Sequence, residues 1–398
     1  MSLFVSRSSG SSLAGFGLIL AGMGAMLAGA SAPSPFYPIL QQEMGFSAAM
    51  MTGIFAVYAI FLLATLLMTG SLSDHVGRRP VLSAGFTILA VSIVLFWQAG
   101  SPETLLVARA IQGIASGLLL STLSATAVDL EPKSRPGSAA IWNSVIPLAG
   151  LAIGALVAGI ALDFSPTPKT DVFGGLTLLY LVLAGLIWTL PETSSRLPNV
   201  LSCLRPQIGL PKSTRAAFLR SSPAVVAGWA TGGLYLSLGT PIVDHVFDVH
   251  DTGLQALVVT LLAGSGALAC FAAQNRSARQ ITLFGTYSLA LGTSLTLIGL
   301  YAQHLPIYLI GVAIAGAGFG TCFFGILRSI IPLAAPAERS ELFASLFTLS
   351  YAAFGLPVVV AGVAMPHLGL VLTTGIYGGI IALFSGVAGL LRQFGTSD

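Results

Sequence analysis

Long apolar stretches follow one another along almost the whole chain, separated by short segments that hold charged residues and clusters of Pro and Gly. About 20 mostly apolar residues suffice for a helix to cross a bilayer, where every backbone amide needs an internal partner. The pattern predicts twelve spans, near residues 13–40, 48–71, 81–98, 104–128, 138–162, 173–190, 224–243, 254–273, 281–302, 307–329, 342–365 and 370–391.

One long polar segment, Pro191 to Ser222, interrupts this pattern between the sixth and seventh spans. We expect an N-terminal six-helix half at residues 1–190, a linker at residues 191–222 and a C-terminal six-helix half at residues 223–398. The predicted fold class is an all-α membrane protein built from two pseudo-symmetric six-helix bundles.

Composition supports this class, because 55% of the 398 residues are hydrophobic and only 8% are charged, whereas soluble domains carry about 25% charged residues. We therefore expect the apolar surface of the protein to have a lipid bilayer as its partner. The net charge of +3 is scattered over short loops, which argues against a nucleic-acid partner. Three widely spaced cysteines, Cys203, Cys270 and Cys322, indicate neither a zinc site nor a disulfide framework, and we expect no cofactor. The first apolar run lacks a cleavage motif, so we expect a retained first span and no separate soluble domain.

Basic residues are unevenly divided between the two ends of the predicted spans. The loops on the side of both termini and the linker hold 15 of the 17 basic residues. The opposite loops hold only Lys169, and Arg109 lies within a span. Cytoplasmic loops of membrane proteins are enriched in Lys and Arg, so we expect both termini and the linker in the cytoplasm of a cell with this protein in its inner or plasma membrane.

The two predicted halves resemble each other at an offset of 203 residues. Pro38 near the end of span one corresponds to Pro241 near the end of span seven, and Gly113 and Gly117 in span four correspond to Gly316 and Gly320 in span ten. Such a duplication predicts a substrate path along the axis between the halves.

The turn after span two carries an acid at its start and two cations at its end, within Gly70-Ser71-Leu72-Ser73-Asp74-His75-Val76-Gly77-Arg78-Arg79-Pro80. It resembles the G-x-x-x-D-R-x-G-R-R loop of the major facilitator superfamily, with His75 in place of the usual arginine. With twelve spans, a duplication and this orientation, the resemblance covers the whole chain, and the chain resembles bacterial twelve-span drug/proton antiporter-like exporters.

The resemblance implies that this loop is a conformational latch on the cytoplasmic face. In the family, the acid lies near the start of span eleven and the first terminal arginine pairs with an acid that ends span four. Asp74, Arg78 and Asp129 match those places here, with Gly70, Gly77 and Arg79 completing the loop. The second-half copy has Asn275 where the first half has Asp74.

Span four carries an arginine well inside the apolar region. Arg109, Gln112 and Ser116 share one helical face, and the run resembles the R-x-x-Q-G motif of the family. A charge at this depth is typical of a solute or proton path, although a structural role in capping carbonyls is the alternative. An anionic substrate group or Glu43 could partner it.

Span five resembles the G-x-x-x-G-P-x-x-G-G motif of the family's drug antiporters through the helix-packing residues Gly150, Gly154 and Gly159. Ala155 replaces the proline and Ala158 replaces one glycine, so close packing is expected without the kink of a proline.

Polar residues also recur at helical spacing in two spans related by the duplication, and we expect both stripes to line an outer gate. Polar helix ends are the alternative explanation. The stripes are Ser34, Tyr37 and Gln41 in span one, and Ser237, Thr240 and Asp244 in span seven.

No Asp, Glu or His occupies the middle of any predicted span, so a proton-coupling residue must lie near a span end. The candidates are Asp244, His245 and Glu43. The run Asp244-His245-x-x-Asp248-x-His250-Asp251 could hold a cation, but we favour an ordinary acidic loop and expect no metal site.

Three classes of function remain to be compared. Proton-coupled efflux of small drug-like or amphipathic metabolites, by alternating access in a monomer, is favoured by the family resemblance. Uptake of a small organic anion or nutrient is favoured by the unpaired Arg109 and by Ala155. A receptor or an intramembrane enzyme is disfavoured, because no sensory domain and no catalytic cluster are found.

The latch hypothesis predicts that Asp74→Asn cripples transport and leaves substrate binding intact, because an ion pair that biases two conformers acts on the transition between them and not on the binding site. Flux into proteoliposomes and equilibrium binding measure the two effects separately. Equal loss of both would contradict the assignment.

Overall fold

The computed structural model describes residues 9–194, 196–198, 209–335 and 338–394, and within these ranges every regular element is a helix. The first half contains α1 (Ser9–Ser31), α2 (Tyr37–Met44), α3 (Ala48–Thr69), α4 (Leu72–Val76), α5 (Arg78–Trp97), α6 (Pro102–Asp129), α7 (Ser138–Phe164) and α8 (Gly175–Leu186). The second half contains α9 (Arg215–Phe247), α10 (Thr252–Ala273), α11 (Ala278–Tyr301), α12 (Leu305–Ile330) and α13 (Arg339–Phe394). Short 3₁₀ turns (Ser34–Phe36, Ile187–Thr189 and Ile331–Leu333) and a π-helical turn (Thr170–Gly174) adjoin these helices.

The described helices account for the twelve predicted spans by their length and composition. Ten helical segments of the described chain are long and apolar enough to span a bilayer. One of them, Glu341–Phe394, has 54 residues, which at ~1.5 Å per residue is enough for two crossings of a ~30 Å core. The twelfth crossing is α9, whose 33 residues intersperse Gly, Ser and Thr among the apolar side chains.

The turn between the last two spans lies where the sequence predicts it. Gly369 interrupts α13 with φ 76° and ψ 165°, a conformation that is essentially restricted to glycine. Pro366, three residues earlier, has no amide hydrogen to donate within the helix.

Two predicted boundaries differ from the structure. The first span is not one helix, because α1 ends at Ser31 and α2 begins at Tyr37 after a 3₁₀ turn that follows Pro33. The helix α9 begins at Arg215 rather than near residue 224, because helical hydrogen bonds such as Phe218 N to Thr214 O (2.8 Å) form before the apolar stretch starts.

The two halves repeat the same glycine contacts. A Cβ atom added to Gly117 of α6 would lie 2.7 Å from the Leu62 carbonyl oxygen of α3. Added to Gly320 of α12, it would lie 2.6 Å from the Gly266 carbonyl oxygen of α10. Only glycine lets these backbones approach so closely, and the duplication seen in sequence is therefore a duplication of packing.

A tyrosine hydrogen bond is also repeated. The Tyr180 hydroxyl of α8 donates to the Ala25 carbonyl of α1 at 3.0 Å, and the Tyr377 hydroxyl of α13 donates to the Ala230 carbonyl of α9 at 3.0 Å. Both tyrosines are buried. In each half, this bond connects the last span to the first.

The halves meet along two helix pairs. Between α7 and α10, the Thr260 hydroxyl donates to the Ala152 carbonyl at 3.4 Å, and the rings of Trp142 and Phe271 lie 6.0 Å apart. Between α3 and α13, Gly362 packs against Thr52. These contacts hold the two bundles together as one body.

We call the end of the bundle near residues 70–77 and 190–198 the linker face, and the end near residues 45–47, 98–101 and 248–251 the opposite face. The hydrophobic core that both halves share includes Phe55, Leu238 and Val358, toward the opposite face. Near the linker face, a separate apolar cluster that includes Ile326 and Leu346 is formed by the second half alone. A smaller cluster that includes Val145 and Cys270 joins the two halves near the linker face, so the bundles are in contact toward both faces.

The glycines of the predicted span-five motif lie at two interfaces. Gly150 and Gly154 contact the backbone of α1, where the Ser31 hydroxyl donates to the Leu151 carbonyl at 2.7 Å. A Cβ atom added to Gly159 would lie 2.5 Å from the Cβ of Ala256 in α10. The helix also carries Pro147, so α7 contains a proline although Ala155 replaces the one in the motif.

Gly154→Ala should destabilise the protein by roughly 1–3 kcal/mol, because the new methyl group would overlap the Ala28 carbonyl and two packed backbones cannot shift freely. The measurement is the midpoint of thermal unfolding in detergent. Gly53→Ala, in α3, is the matched control, since nothing lies within 4 Å of its added Cβ. Equal midpoints for the two variants would contradict the packing argument.

Candidate functional site

Arg109 is buried at the junction of α1, α2 and α6, with 1% of its surface exposed. Its Nε donates to the Tyr37 hydroxyl at 2.7 Å, and its Nη1 donates to Gln112 Oε1 at 2.6 Å and to the Ala30 carbonyl at 3.2 Å. Gln112 Nε2 donates in turn to the Gly29 carbonyl at 2.8 Å. Three predicted path residues thus form one hydrogen-bonded network.

The break in span one supplies the acceptors of this network. Within an α-helix, the Gly29 carbonyl would accept from the amide four residues later, but that residue is Pro33, which has no amide hydrogen. Because α1 ends at Ser31, the last carbonyls of the helix are left for side chains from α6. The break in the helix at Pro33 therefore provides the carbonyl oxygens that bind Arg109 and Gln112.

Four aromatic rings surround the guanidinium of Arg109. Its central carbon lies 5.3–5.5 Å from the ring centres of Tyr37, Phe55, Tyr58 and Phe96. A cation over the face of an aromatic ring is attracted by the ring quadrupole, most strongly where water is absent. The charge is thus stabilised by rings and carbonyls, and no carboxylate among the described residues forms an ion pair with it.

One nitrogen of Arg109, Nη2, has no hydrogen-bond partner among the described residues. Glu43 is not that partner: it binds Lys169 Nζ at 2.7 Å at the opposite face, so the suggestion that Glu43 pairs with Arg109 is wrong. Ser116, two turns along α6 from Arg109, is fully buried.

Of the polar stripes predicted for the outer gate, Ser34, Tyr37, Ser237 and Thr240 are buried, and Gln41 and Asp244 are partly exposed. The Ser237 hydroxyl donates to the Gly233 carbonyl at 2.6 Å. Gln41 Nε2 donates to the Phe46 carbonyl at 3.1 Å. The gate hypothesis stays a prediction, because each of these bonds is local to its own half.

At the linker face, Arg78 lies between Asp129, which the family resemblance pairs with it, and Asp74, which the resemblance places near the start of span eleven but which binds Arg78 here. Arg78 Nη1 lies 2.7 Å from Asp74 and its Nε lies 3.2 Å from Asp129 at the end of α6. Gly77 allows this arrangement, since it has φ 117° between α4 and α5. Arg79 turns the other way and donates to the Leu190 carbonyl at 3.1 Å. Gly70, at the end of α3, is helical and lies against the Leu66 carbonyl.

A third carboxylate, which the sequence interpretation did not assign to this loop, binds its backbone. Glu192 accepts the amides of Arg78 at 2.8 Å and of Arg79 at 3.3 Å, the first two of α5, and that of Ser194 at 3.1 Å. Burial alone would raise the pKa of Glu192, but these three amides and the Arg79 guanidinium together lower it. The signal was the Pro191-Glu192-Thr193 run that ends span six.

The copy of this loop in the second half uses bonds of another kind. Arg328, near the end of α12, donates to the carbonyls of Gln274 at 2.9 Å and Arg276 at 3.3 Å. Arg279 donates to the Gln393 carbonyl at 2.9 Å. In the first half an acid at the end of α6 holds an arginine of the loop, whereas here an arginine of α12 holds backbone oxygens of the loop.

At the opposite face, Asp244 at the end of α9 accepts hydrogen bonds from His250 and Gln255 and lies close to His245. His250 Nδ1 lies 2.8 Å and His245 Nδ1 lies 3.1 Å from its carboxylate, and Gln255 Nε2 donates to it at 3.1 Å. His250 also lies 3.2 Å from Asp248. The hydrogen bond to Asp244 and the charge of Asp244 raise the pKa of His250. The described residues contain no group of three or more side chains that could hold a metal ion.

The sequence interpretation also missed an aromatic group on α9, α12 and α13, which we define as Trp229, Phe323, Phe347, Tyr351 and Phe354. The Trp229 ring lies 4.9 Å from Tyr351, 5.4 Å from Phe323 and 6.4 Å from Phe354, and Phe323 lies 6.2 Å from Phe347. Four of the five are only partly buried. The rings come from three helices, and their spacing along the chain therefore gave no periodic signal.

Comparison with known proteins gives a family for the chain. Residues 14–359 match the family model described as Major Facilitator Superfamily. The crystal structure of a variant of the nucleoside transporter NupG superimposes with a TM-score of 0.70, covering 93% of this chain and 97% of that one at 14% sequence identity. That likeness shows the fold.

Several curated relatives are similar over shorter stretches. The multidrug efflux pump LfrA of Mycolicibacterium smegmatis is 36% identical over 128 residues, 32% of this chain and 25% of LfrA. The multidrug resistance protein MdtL of a Shewanella species is 29% identical over 164 residues, 40% of each chain. The inner membrane transport protein YnfM of Escherichia coli is 28% identical over 131 residues, 33% of this chain and 31% of YnfM. Each match spans less than half the length of the relative.

The cluster at Asp244 predicts a measurable coupling between two side chains. Asp244→Asn should lower the pKa of His250 toward the ordinary imidazole value of roughly 6.5, because the neutral amide no longer favours the imidazolium. In the native protein, this pair contributes stability fully at pH values below roughly 6.5 and loses it as the pH rises through the raised pKa of His250.

The measurement is an NMR titration of histidine-labelled protein in detergent, with the resonance assigned through His250→Gln. Asp248→Asn is the matched control and should lower the pKa of His250 less, because Asp248 is 93% exposed and is the weaker partner. A larger effect of Asp248→Asn than of Asp244→Asn would contradict this account.

Proposed function

This chain belongs to the major facilitator superfamily, and from that premise we propose that it exports small drug-like or amphipathic metabolites in exchange for protons, by alternating access. It is an integral membrane protein with many spans and not an enzyme. A relative named as a multidrug efflux pump and another named as a multidrug resistance protein support the direction of transport, and each match covers only part of the relative.

The observation that carries the proposal is the aromatic group defined above. Its rings lie on spans seven, ten and eleven, and four of the five keep part of their surface exposed. Aromatic faces bind planar apolar solutes without requiring one hydrogen-bond pattern, which suits a carrier of varied amphipathic molecules. The substrate rings would stack against Trp229 and Tyr351.

The moving parts in this proposal are the two six-helix halves, residues 1–190 and 223–398, joined by a linker at residues 191–222. Both termini and the linker lie in the cytoplasm, which the distribution of 15 of the 17 basic residues supports. The protein acts as a monomer in the inner membrane. The cluster of Asp74, Arg78 and Asp129 then latches the cytoplasmic face, and Glu192 anchors the loop that carries it.

Proton exchange is assigned to the cluster at the opposite face. Asp244 and His245, with His250, form a set of titratable groups in direct contact at the opposite face. Glu43 is the less suitable candidate, because Lys169 neutralises it. Binding of protons there from an acidic exterior would favour the transition of the carrier back to its inward-facing conformer.

A second candidate function is the uptake of a small organic anion, and it is favoured by Arg109. A buried guanidinium with a nitrogen that has no partner is a recognition element for a carboxylate or a phosphate. In that case the anion would complete the hydrogen-bond network of Arg109.

The test is the movement of solutes across membranes under a pH jump. We expect neutral and cationic aromatic dyes to accumulate in everted vesicles when the lumen is acidic, and not in intact cells. Accumulation of organic anions in intact cells, with no movement of dyes, would instead establish the uptake function.

Trp229→Ala should raise the KM for aromatic dyes about tenfold and change kcat less, because a stacking platform contributes on the order of 1.4 kcal/mol to binding. Trp229→Phe should retain most of the affinity. Phe284→Ala removes a ring that is 51% exposed on α11 and is the control for a general loss of aromatic surface. Equal KM values for Trp229→Ala and Phe284→Ala would remove the aromatic group from the substrate site.

A further inference from the structure

At the opposite face, one carboxylate of the first half binds the start of a helix of the second half. Asp163, near the end of α7, accepts the Gly253 amide at 2.8 Å and the Thr252 amide at 3.2 Å. It also accepts the Thr252 hydroxyl. These are the first two residues of α10.

The same helix start has an acid from its own half. The Asp251 side chain accepts the Leu254 amide at 2.8 Å, as an N-cap residue does. The first amides of a helix have no partner within it and carry a partial positive charge, so a carboxylate there is stabilising. The helix α10 is therefore capped twice, by Asp251 from within its half and by Asp163 from across the interface.

Small residues behind Asp163 bring the two helices into contact. Gly159, one turn earlier, packs against Ala256 so closely that an added Cβ would lie 2.5 Å from the Ala256 Cβ. The Thr252 hydroxyl lies 3.5 Å from the Gly159 carbonyl. Any motion that separates α7 from α10 at this face must break the bonds to Asp163.

We propose that Asp163 is the clasp of the opposite face: it holds the two halves together in the conformer described here and must release α10 before that face opens. The proposal rests on the alternating-access function given above. It assigns to Asp163 the role of a gating residue that contacts no substrate.

The solvent exposure of the Asp163 side chain determines how large an effect its loss should have on the balance between the two conformers. Asp163 is exposed to solvent, so water and salt compete with its hydrogen bonds, and the clasp biases the two conformers without determining them alone. Loss of the clasp should therefore shift the conformers several-fold, not by orders of magnitude.

The test uses the rate at which an impermeant maleimide reaches a buried position from the side of the opposite face. Ser34→Cys is a suitable reporter, because Ser34 is 2% exposed and its 3₁₀ turn packs against α7, α9 and α10. It is introduced into a background with Cys203→Ser, Cys270→Ala and Cys322→Ala, reconstituted with a known orientation.

Asp163→Ala should raise the labelling rate of the reporter roughly three- to tenfold, the change expected for losing a few charge-assisted contacts. Thr252→Val, which removes only the hydroxyl donor, should raise it less. Asp251→Ala is the matched control: it removes a cap from the same helix but no bond between the halves, and the rate should not change. Thermal unfolding midpoints identify any variant that is misfolded.

Three outcomes would overturn the clasp: an unchanged rate in Asp163→Ala, equal increases in Asp163→Ala and Asp251→Ala, or a decrease. The labelling rate needs no substrate, so an increase confined to Asp163→Ala would support the clasp even if no dye is transported. Dye efflux with an unchanged labelling rate would leave the proposed function standing and remove the clasp.

Discussion

A backbone carbonyl or amide buried in a membrane protein must find a partner, and this requirement determines where the chain can depart from helix and what occupies each departure. At the break in span one, Pro33 has no amide hydrogen to donate. The carbonyl oxygens near the end of α1 accept hydrogen bonds from Gln112 and Arg109 instead. At the start of α5, the free amides are taken by Glu192, and at the start of α10 by Asp163 and Asp251. Four charged residues of this sparsely charged chain, Arg109, Glu192, Asp163 and Asp251, bind backbone groups at such points.

The fold was largely predictable from sequence, because hydropathy and glycine spacing act locally. The predicted spans and the reversal at Gly369 follow from the identities of residues close together in the chain, and the duplicated glycine contacts follow from the repeat of Gly113 and Gly117 as Gly316 and Gly320. The early start of α9 and the break in span one did not follow. Hydropathy indicates which residues lie in the bilayer but not where helical hydrogen bonds begin. It therefore does not predict that α9 extends beyond its apolar part to Arg215.

The site was predictable only where a motif or a helical face fixed both partners. Arg109 and Gln112 lie three residues apart on one helix, and their contact could be expected from spacing alone. The bond between Arg78 and Asp129 was expected through the family resemblance. Glu192, Asp163 and the rings around Trp229 were missed because their partners lie far away in the chain, on helices whose relative rotation is decided by packing. The role of each of these groups in transport stays a prediction.

The contrast between the two loops of the linker face has a consequence for solution conditions. In the first half, attraction between full charges, Asp129 and Asp74 on Arg78 at partly exposed positions, adds to the bonds that Glu192 accepts from backbone amides. In the second half, Arg328 and Arg279 bind carbonyl dipoles. Dissolved ions screen exposed charge pairs over a distance of about 8 Å at physiological ionic strength, and they affect short-range bonds to dipoles much less. The contacts of the first half at the linker face are therefore more sensitive to the ionic strength of the surrounding compartment than those of the second half.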